Sequence, residues 1–173
     1  LGCAHASVQR YVYDDLGRLK VAGGARAATR FVYDRSGNRT KRMTGPLVGR
    51  VLSDCFDPDF YLAAYQDILL AGVEPHDHFT QQGWREHRDP SAYFDYQGYL
   101  NRYPDIAAGG INALDHYSQS GWREGRNPSG LFNTNRYLSA YPDIAAAGIN
   151  PLLHFLQSGL DEGRAPQGDG TFD

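Results

Sequence analysis

Histidine, carboxylate and arginine recur in this chain at one fixed interval. His78, His116 and His154 align, as do Glu86, Glu124 and Glu162, then Arg88, Arg126 and Arg164, then Asp67, Asp105 and Asp143. Imidazole and carboxylate are the side chains of general acid–base chemistry, and with further donors they hold zinc. Each set, however, repeats every 38 residues, whereas a metal's ligands and a catalytic centre's groups must converge on one place. Recurrence therefore favours a structural duty. The arginines are expected to act as latches, bridging to acidic residues or backbone carbonyls across the seams between units, with ligand binding as the alternative. Each histidine precedes an aromatic residue and can donate a hydrogen bond from a partly buried helix to the neighbouring unit. The aspartates follow a helix break closely enough to favour the start of the next segment.

One copy carries extra groups. His76, Asp77 and His78, with Glu86 and His87 nearby, are the first place to look for metal or acid–base chemistry. They lack the ligand spacing of zinc sites, and a solvated turn accounts for them equally well. No nucleotide fingerprint or compact nucleophile–base arrangement accompanies them, so the reading is of a protein that is not an enzyme, with no catalytic, metal or cofactor-binding residues. Trp84 and Trp122, with Asp89 and Asn127 beside the turns, form a second candidate: aromatic faces and polar edges together can hold a sugar. Leu160 replaces the Trp in the third copy. Cys3 and Cys55 are the only cysteines; a disulfide between them, free thiols and lipidation near the N-terminus all stay open.

The elements that must position these residues follow from the period. Three copies align without a gap, near 56–93, 94–131 and 132–169, and such units bury their apolar faces by stacking on one another. Tyr61, Tyr65 and Ile68 share a helical face, as do Tyr99, Tyr103 and Ile106. Pro104 and Pro142 are expected to start new helices; Gln66 stands there in the first copy, so that unit should be less sharply divided. Gly72, Gly110 and Gly148 mark turns, Asn150-Pro151 reads as a helix start, and Gly159 as a left-handed helix end. The tyrosines, twelve in all, are read as core and seam residues with their hydroxyls at the polar edge.

Residues 1–50 differ. They hold ten Lys and Arg against three Asp, while residues 51–173 hold seven Arg against seventeen Asp and Glu. This division suggests a basic arm and an acidic body whose opposite ends attract, more weakly as salt rises. Tyr11 and Tyr13, and Phe31 and Tyr33, alternate as strands do, each pair followed by a Gly turn. The expected fold class is mainly α: a short-helix solenoid of three 38-residue repeats with a small N-terminal β-hairpin region, the hairpin edge open to another strand. No apolar run is long enough for a transmembrane segment.

YDDLGRL and FVYDRSGNRT, over residues 11–41, resemble the YD repeat of the RHS family, whose large members build β-rich shells. Two copies cannot enclose cargo, so encapsulation is not implied here. YLNRYPDIAAGGINALDHYSQSGWREGRNP and its third-copy counterpart resemble a repeat of bacterial secreted, surface-associated and glycosyltransferase-associated proteins, a likeness that implies no particular activity. The functional expectation is an extracellular bacterial scaffold, secreted or at the cell surface, assembling with itself or with another surface protein. A carbohydrate- or cell-envelope-binding module is the alternative, with a glycan as ligand; no nucleic-acid partner is expected.

Overall fold

The computed structural model describes the backbone of residues 10–13, 19–24, 27–33 and 39–46, and both backbone and side chains of residues 51–168. In the first set β1 (Arg10–Tyr13), β2 (Leu19–Gly24), β3 (Ala27–Tyr33) and β4 (Arg39–Pro46) pair antiparallel in sequence order. The ladder slips between Val12 and Tyr13 and again between Val32 and Tyr33. The expected small hairpin is thus corrected. Two strands alone are marginal in water, and here β2 also pairs with β3, from Val21 opposite Arg30 to Gly24 opposite Ala27.

From residue 51 onward the chain folds as short helices. Three similar arms contain α1 (Pro58–Ala64), α2 (Gln66–Ala71) and α3 (Pro75–His78); then α4 (Tyr96–Arg102), α5 (Pro104–Ala108) and α6 (Ala113–His116); then α7 (Thr134–Ala140), α8 (Pro142–Ala147) and α9 (Pro151–His154). The first helix of each arm has a side-chain cap. Asp57 accepts from the Asp59 and Phe60 amides, Asp95 from Gly98 and Asn133 from Arg136.

Each first helix ends at a tyrosine that leaves helical geometry: Tyr65 (φ −117°, ψ 87°), Tyr103 (−123°, 78°) and Tyr141 (−124°, 78°). The break is as sharp at Tyr65-Gln66 as at the two prolines, against the expectation for the first unit. Packing explains why. The Tyr65 hydroxyl accepts the Asp89 amide at 2.6 Å and the Arg88 guanidinium lies 4.8 Å from the ring centre; Tyr103 and Tyr141 are held in the same way. Proline suits this geometry without being required for it.

α3, α6 and α9 run directly into single π turns, Phe79–Gly83, Tyr117–Gly121 and Phe155–Gly159. Gly159 is therefore not the left-handed terminator it was expected to be. That role falls four residues later, to His87 (φ 55°), Gly125 (73°) and Gly163 (70°). The next amide then reaches back to the glycine carbonyl, Arg88 to Gly83 at 3.0 Å, which closes a Schellman-type end. Gly83, Gly121 and Gly159 are small for a different reason. A Cβ on Gly121 would lie 2.5 Å from the Tyr99 hydroxyl, and one on Gly159 equally close to that of Tyr137.

The core is aromatic. Phe56, Phe94 and Phe132, then Tyr61, Tyr99 and Tyr137, then Phe79, Tyr117 and Phe155 are all buried, with Ile68, Ile106 and Ile144 beside them. Most ring pairs are tilted or edge-on, each contributing about 0.5–1.5 kcal/mol beyond the area it buries.

This core also corrects the solenoid expectation. In an open stack each repeat touches only its neighbours. Here Tyr93 of the first unit packs edge-on against Phe155 of the third at 4.8 Å. The Gln157 amide donates to the Val51 carbonyl at 2.7 Å across 106 residues of sequence. The 38-residue stretch is therefore not a self-contained stacking block, and the fold is a helical bundle around one shared interior. Helices of four to seven residues bury too little apiece to stand as separate layers. Among the described residues no helix is long and apolar enough to cross a membrane.

Candidate functional site

The recurring polar residues converge, but within each arm. Arg88 donates through both terminal nitrogens to Asp67, at 3.0 and 2.8 Å, and through Nε to Glu86 at 2.5 Å. Arg126 makes the same three bonds to Asp105 and Glu124, and Arg164 to Asp143 and Glu162. All three guanidiniums lie over the helix-breaking tyrosines. The latch expected across the seams therefore closes each unit on itself. A bidentate fork with a third acceptor at Nε leaves a guanidinium little capacity to reach further.

The histidines behave likewise. Tyr61, Tyr99 and Tyr137 each place the hydroxyl 2.9 Å from Nδ1 of His78, His116 and His154, inside the same unit rather than across to the next. Nε2 of His116 lies 3.8 Å from Glu124, and that of His154 3.8 Å from Glu162. Burial pushes the pKa values of His116 and His154 down, with the neighbouring glutamates opposing it. In the tautomer protonated at Nε2, the nitrogen that faces the glutamate in the second and third arms, Nδ1 accepts the tyrosine O–H. Burial raises the tyrosine hydroxyls, and the arginine hydrogen bonds hold Asp67, Asp105 and Asp143 below the usual carboxylate range. Three copies of a Tyr-His-Glu-Arg-Asp constellation result, each group satisfied by its neighbours.

The extra groups of the first arm do not join it. His76 turns to Asp54, Nε2 to Oδ2 at 2.9 Å, and packs edge-on against Phe56. Its counterparts are Leu114 and Leu152, both fully buried. Asp77 donates its amide to the Glu74 side chain, at 2.7 Å, in a helix cap. Among the described residues no group of three or more His, Cys, Asp or Glu side chains is arranged to hold a metal ion. Cys55 is fully buried with φ 72°, and burial pushes its thiol up and makes it a poor nucleophile. A disulfide to Cys3, or lipidation there, falls outside the described residues.

The four residues proposed for ligand binding separate. Asp89 accepts the Tyr96 amide at 2.8 Å and Asn127 the Thr134 amide at 3.0 Å, each tying one arm to the next. Burial raises the Asp89 carboxyl. Both serve as backbone anchors. Trp122 is 8% exposed, whereas Trp84 is half-buried at the edge of a cleft. Arg85 and Arg123 each sit 4.3 Å from the centre of the preceding indole.

Sequence reading passed over Tyr65, Tyr103 and Tyr141 as platforms for the arginines. The Tyr-to-Arg spacing of 23 residues is constant, but nothing in it shows that the ring lies beneath the guanidinium. It also missed Tyr96 and Thr134 as seam residues. The Tyr96 ring meets Phe79 of the first arm edge-on, with centroids 6.2 Å apart, while its hydroxyl takes the Ala113 amide of its own arm at 3.0 Å; Thr134 shares a buried hydrogen bond with the Tyr117 hydroxyl of the second arm at 3.0 Å. Their common position holds Pro58 in the first arm, so no shared residue type marked it.

No family model, no curated protein and no solved structure matches this chain. The described strands within the stretch compared with the YD repeat belong to a four-stranded antiparallel sheet rather than to a hairpin alone. Both resemblances, to the RHS family and to the repeat of bacterial surface and glycosyltransferase-associated proteins, are accordingly set aside.

Proposed function

We propose that the helical region is a structural scaffold that associates with further copies of itself through aliphatic side chains displayed once per arm. The observation that carries this reading is the position after each turn glycine. Val73, Ile111 and Ile149 occupy it and are 43%, 45% and 40% exposed. Scattered exposed aliphatics are ordinary, but the same exposed position in three arms presents a repeated contact of one chemistry. Leu70 and Leu131, each 61% exposed, add to the apolar surface. The charged constellations support the same reading, because their members already bond to one another. They stiffen the arms that display the aliphatics.

Sedimentation velocity over a concentration series, at low and high salt, tests the proposal. Apolar association persists as salt rises, while attraction between the basic and acidic regions fades. Ile149→Ser combined with Val73→Ser should shift the protein toward monomer. A wild-type chain that stays monomeric at the highest concentration in both salts would sink the proposal.

A further inference from the structure

The two tryptophans occupy the same position in successive arms and have different surroundings. At the junction of the second and third arms, Gly125 has φ 73°, and a Cβ there would lie 2.7 Å from the Asn135 amide nitrogen. Asn135 thus closes over the turn, and Trp122 is buried. At the junction of the first and second arms, His87 replaces that glycine and stacks on Tyr96, with centroids 5.6 Å apart and planes at 15°. Gln97, the counterpart of Asn135, is held by Asn101 instead, its Nε2 donating to Oδ1 at 2.9 Å. A cleft of about 260 Å³ remains, walled by Trp84, Tyr96, Leu100, Ala107 and Ile111.

We infer that this cleft binds one neutral sugar ring. No acidic or permanently charged side chain lines it, so a charged ligand finds no counter-ion in the cleft itself. Tyr96, 1% exposed, lies at the floor, and Arg85 covers one face of Trp84, so the wall offered to a ligand is the rest of the indole with Leu100, Ala107 and Ile111, an apolar surface that suits the C–H face of a pyranose. The rim carries two neutral amides, Gln97 and Asn101, and the imidazole of His87, which can both donate to and accept from hydroxyls. The volume holds a single ring and no more, and a ligand with so few contacts binds with a dissociation constant on the order of 1 mM. The inference goes beyond the scaffold reading and does not depend on it: this cleft serves recognition, while the positions used to test association, Val73 and Ile149, lie outside it.

Trp122 provides an internal control. The intact protein is labelled with 5-fluorotryptophan, which gives two fluorine resonances, one for each tryptophan, assigned through Trp84→Phe. Methyl glucoside, methyl galactoside, methyl mannoside and N-acetylglucosamine are titrated in turn, with phenol as an apolar aromatic probe. The expected result is a saturable shift of the Trp84 resonance with at least one sugar, while the Trp122 resonance stays still. Ala107→Leu, which fills the cleft, should weaken that binding about tenfold or more. Asn101→Ala, on the exposed rim, should weaken it less and leave folding intact. Overturning results are no shift with any sugar, equal shifts of both resonances, a response to phenol alone, or sugar binding unchanged by Ala107→Leu.

Discussion

The first arm and the two that follow solve the same packing problem with different residues. His76 stands where the others bury Leu114 and Leu152, Gln66 where they have Pro104 and Pro142, and His87 where they have Gly125 and Gly163. The backbone is nonetheless alike in all three arms, down to the helix break at the tyrosine and the left-handed residue after the π turn. Conformation at these places is imposed by the surrounding contacts. The local residue only changes its cost.

The largest effect should come from exchanging the buried position. Leu114→His puts an imidazole where no partner equivalent to Asp54 is found, and should cost about 3 kcal/mol in urea unfolding. The reciprocal His76→Leu loses the Asp54 bond and the edge-on contact with Phe56 but gains aliphatic burial, and should change stability by about 1 kcal/mol or less. Equal costs for the two would break the distinction between the arms. Gly121→Ala tests what they share: the added methyl meets the Tyr99 hydroxyl and should cost about 2–3 kcal/mol.

Arg126→Ala should cost about 1 kcal/mol, partly through the stem and guanidinium lost from the face of Tyr103, and Arg126→Lys should recover little because an ammonium cannot make the fork. The exposed Arg102→Ala should stay within about 0.5 kcal/mol of wild type. Because each latch closes within its arm, new protease sites in the Arg126 variant should appear around residues 103–127 and not between arms. Cleavage spread over every junction would restore the seam latch.

Acidification should act in two steps. His116 and His154 have folded-state pKa values below the unfolded one, so their contribution is complete above about pH 6.5 and is lost as pH falls below it. Asp67, Asp105 and Asp143 are also lowered, so theirs is present above about pH 4 and is lost as pH falls through the depressed values. Melting temperatures measured from pH 8 to 5 should fall, and fall less in a His116→Gln, His154→Gln double variant. A parallel fall would place the pH response elsewhere.

The smallest effects should be gains. Gln66→Pro suits the geometry Tyr65 already adopts and should add about 0.5–1 kcal/mol. His87→Gly removes a left-handed non-glycine residue, but it also removes the ring stacked on Tyr96, so its net gain should be below about 1 kcal/mol.

The spacing of Tyr, Asp, His, Glu and Arg was plain in the sequence, because a 38-residue interval without gaps needs no structure to be seen. Helix starts at proline and asparagine, and turns at Gly72, Gly110 and Gly148, were also legible, since they depend on backbone chemistry within a few residues. What the interval could not specify is which partner each residue meets. Asp67 and Arg88 are 21 residues apart and pair within one arm, whereas the same residue types 17 residues away in the neighbouring arm would have fitted a stacking model equally well. That Tyr93 meets Phe155, that Gln157 reaches Val51, and that one tryptophan is covered while its twin borders a cleft were decided by tertiary packing alone. Periodicity states that neighbours are alike; only the path of the chain through space, set by where the aromatic rings can share one interior, decides which neighbours touch.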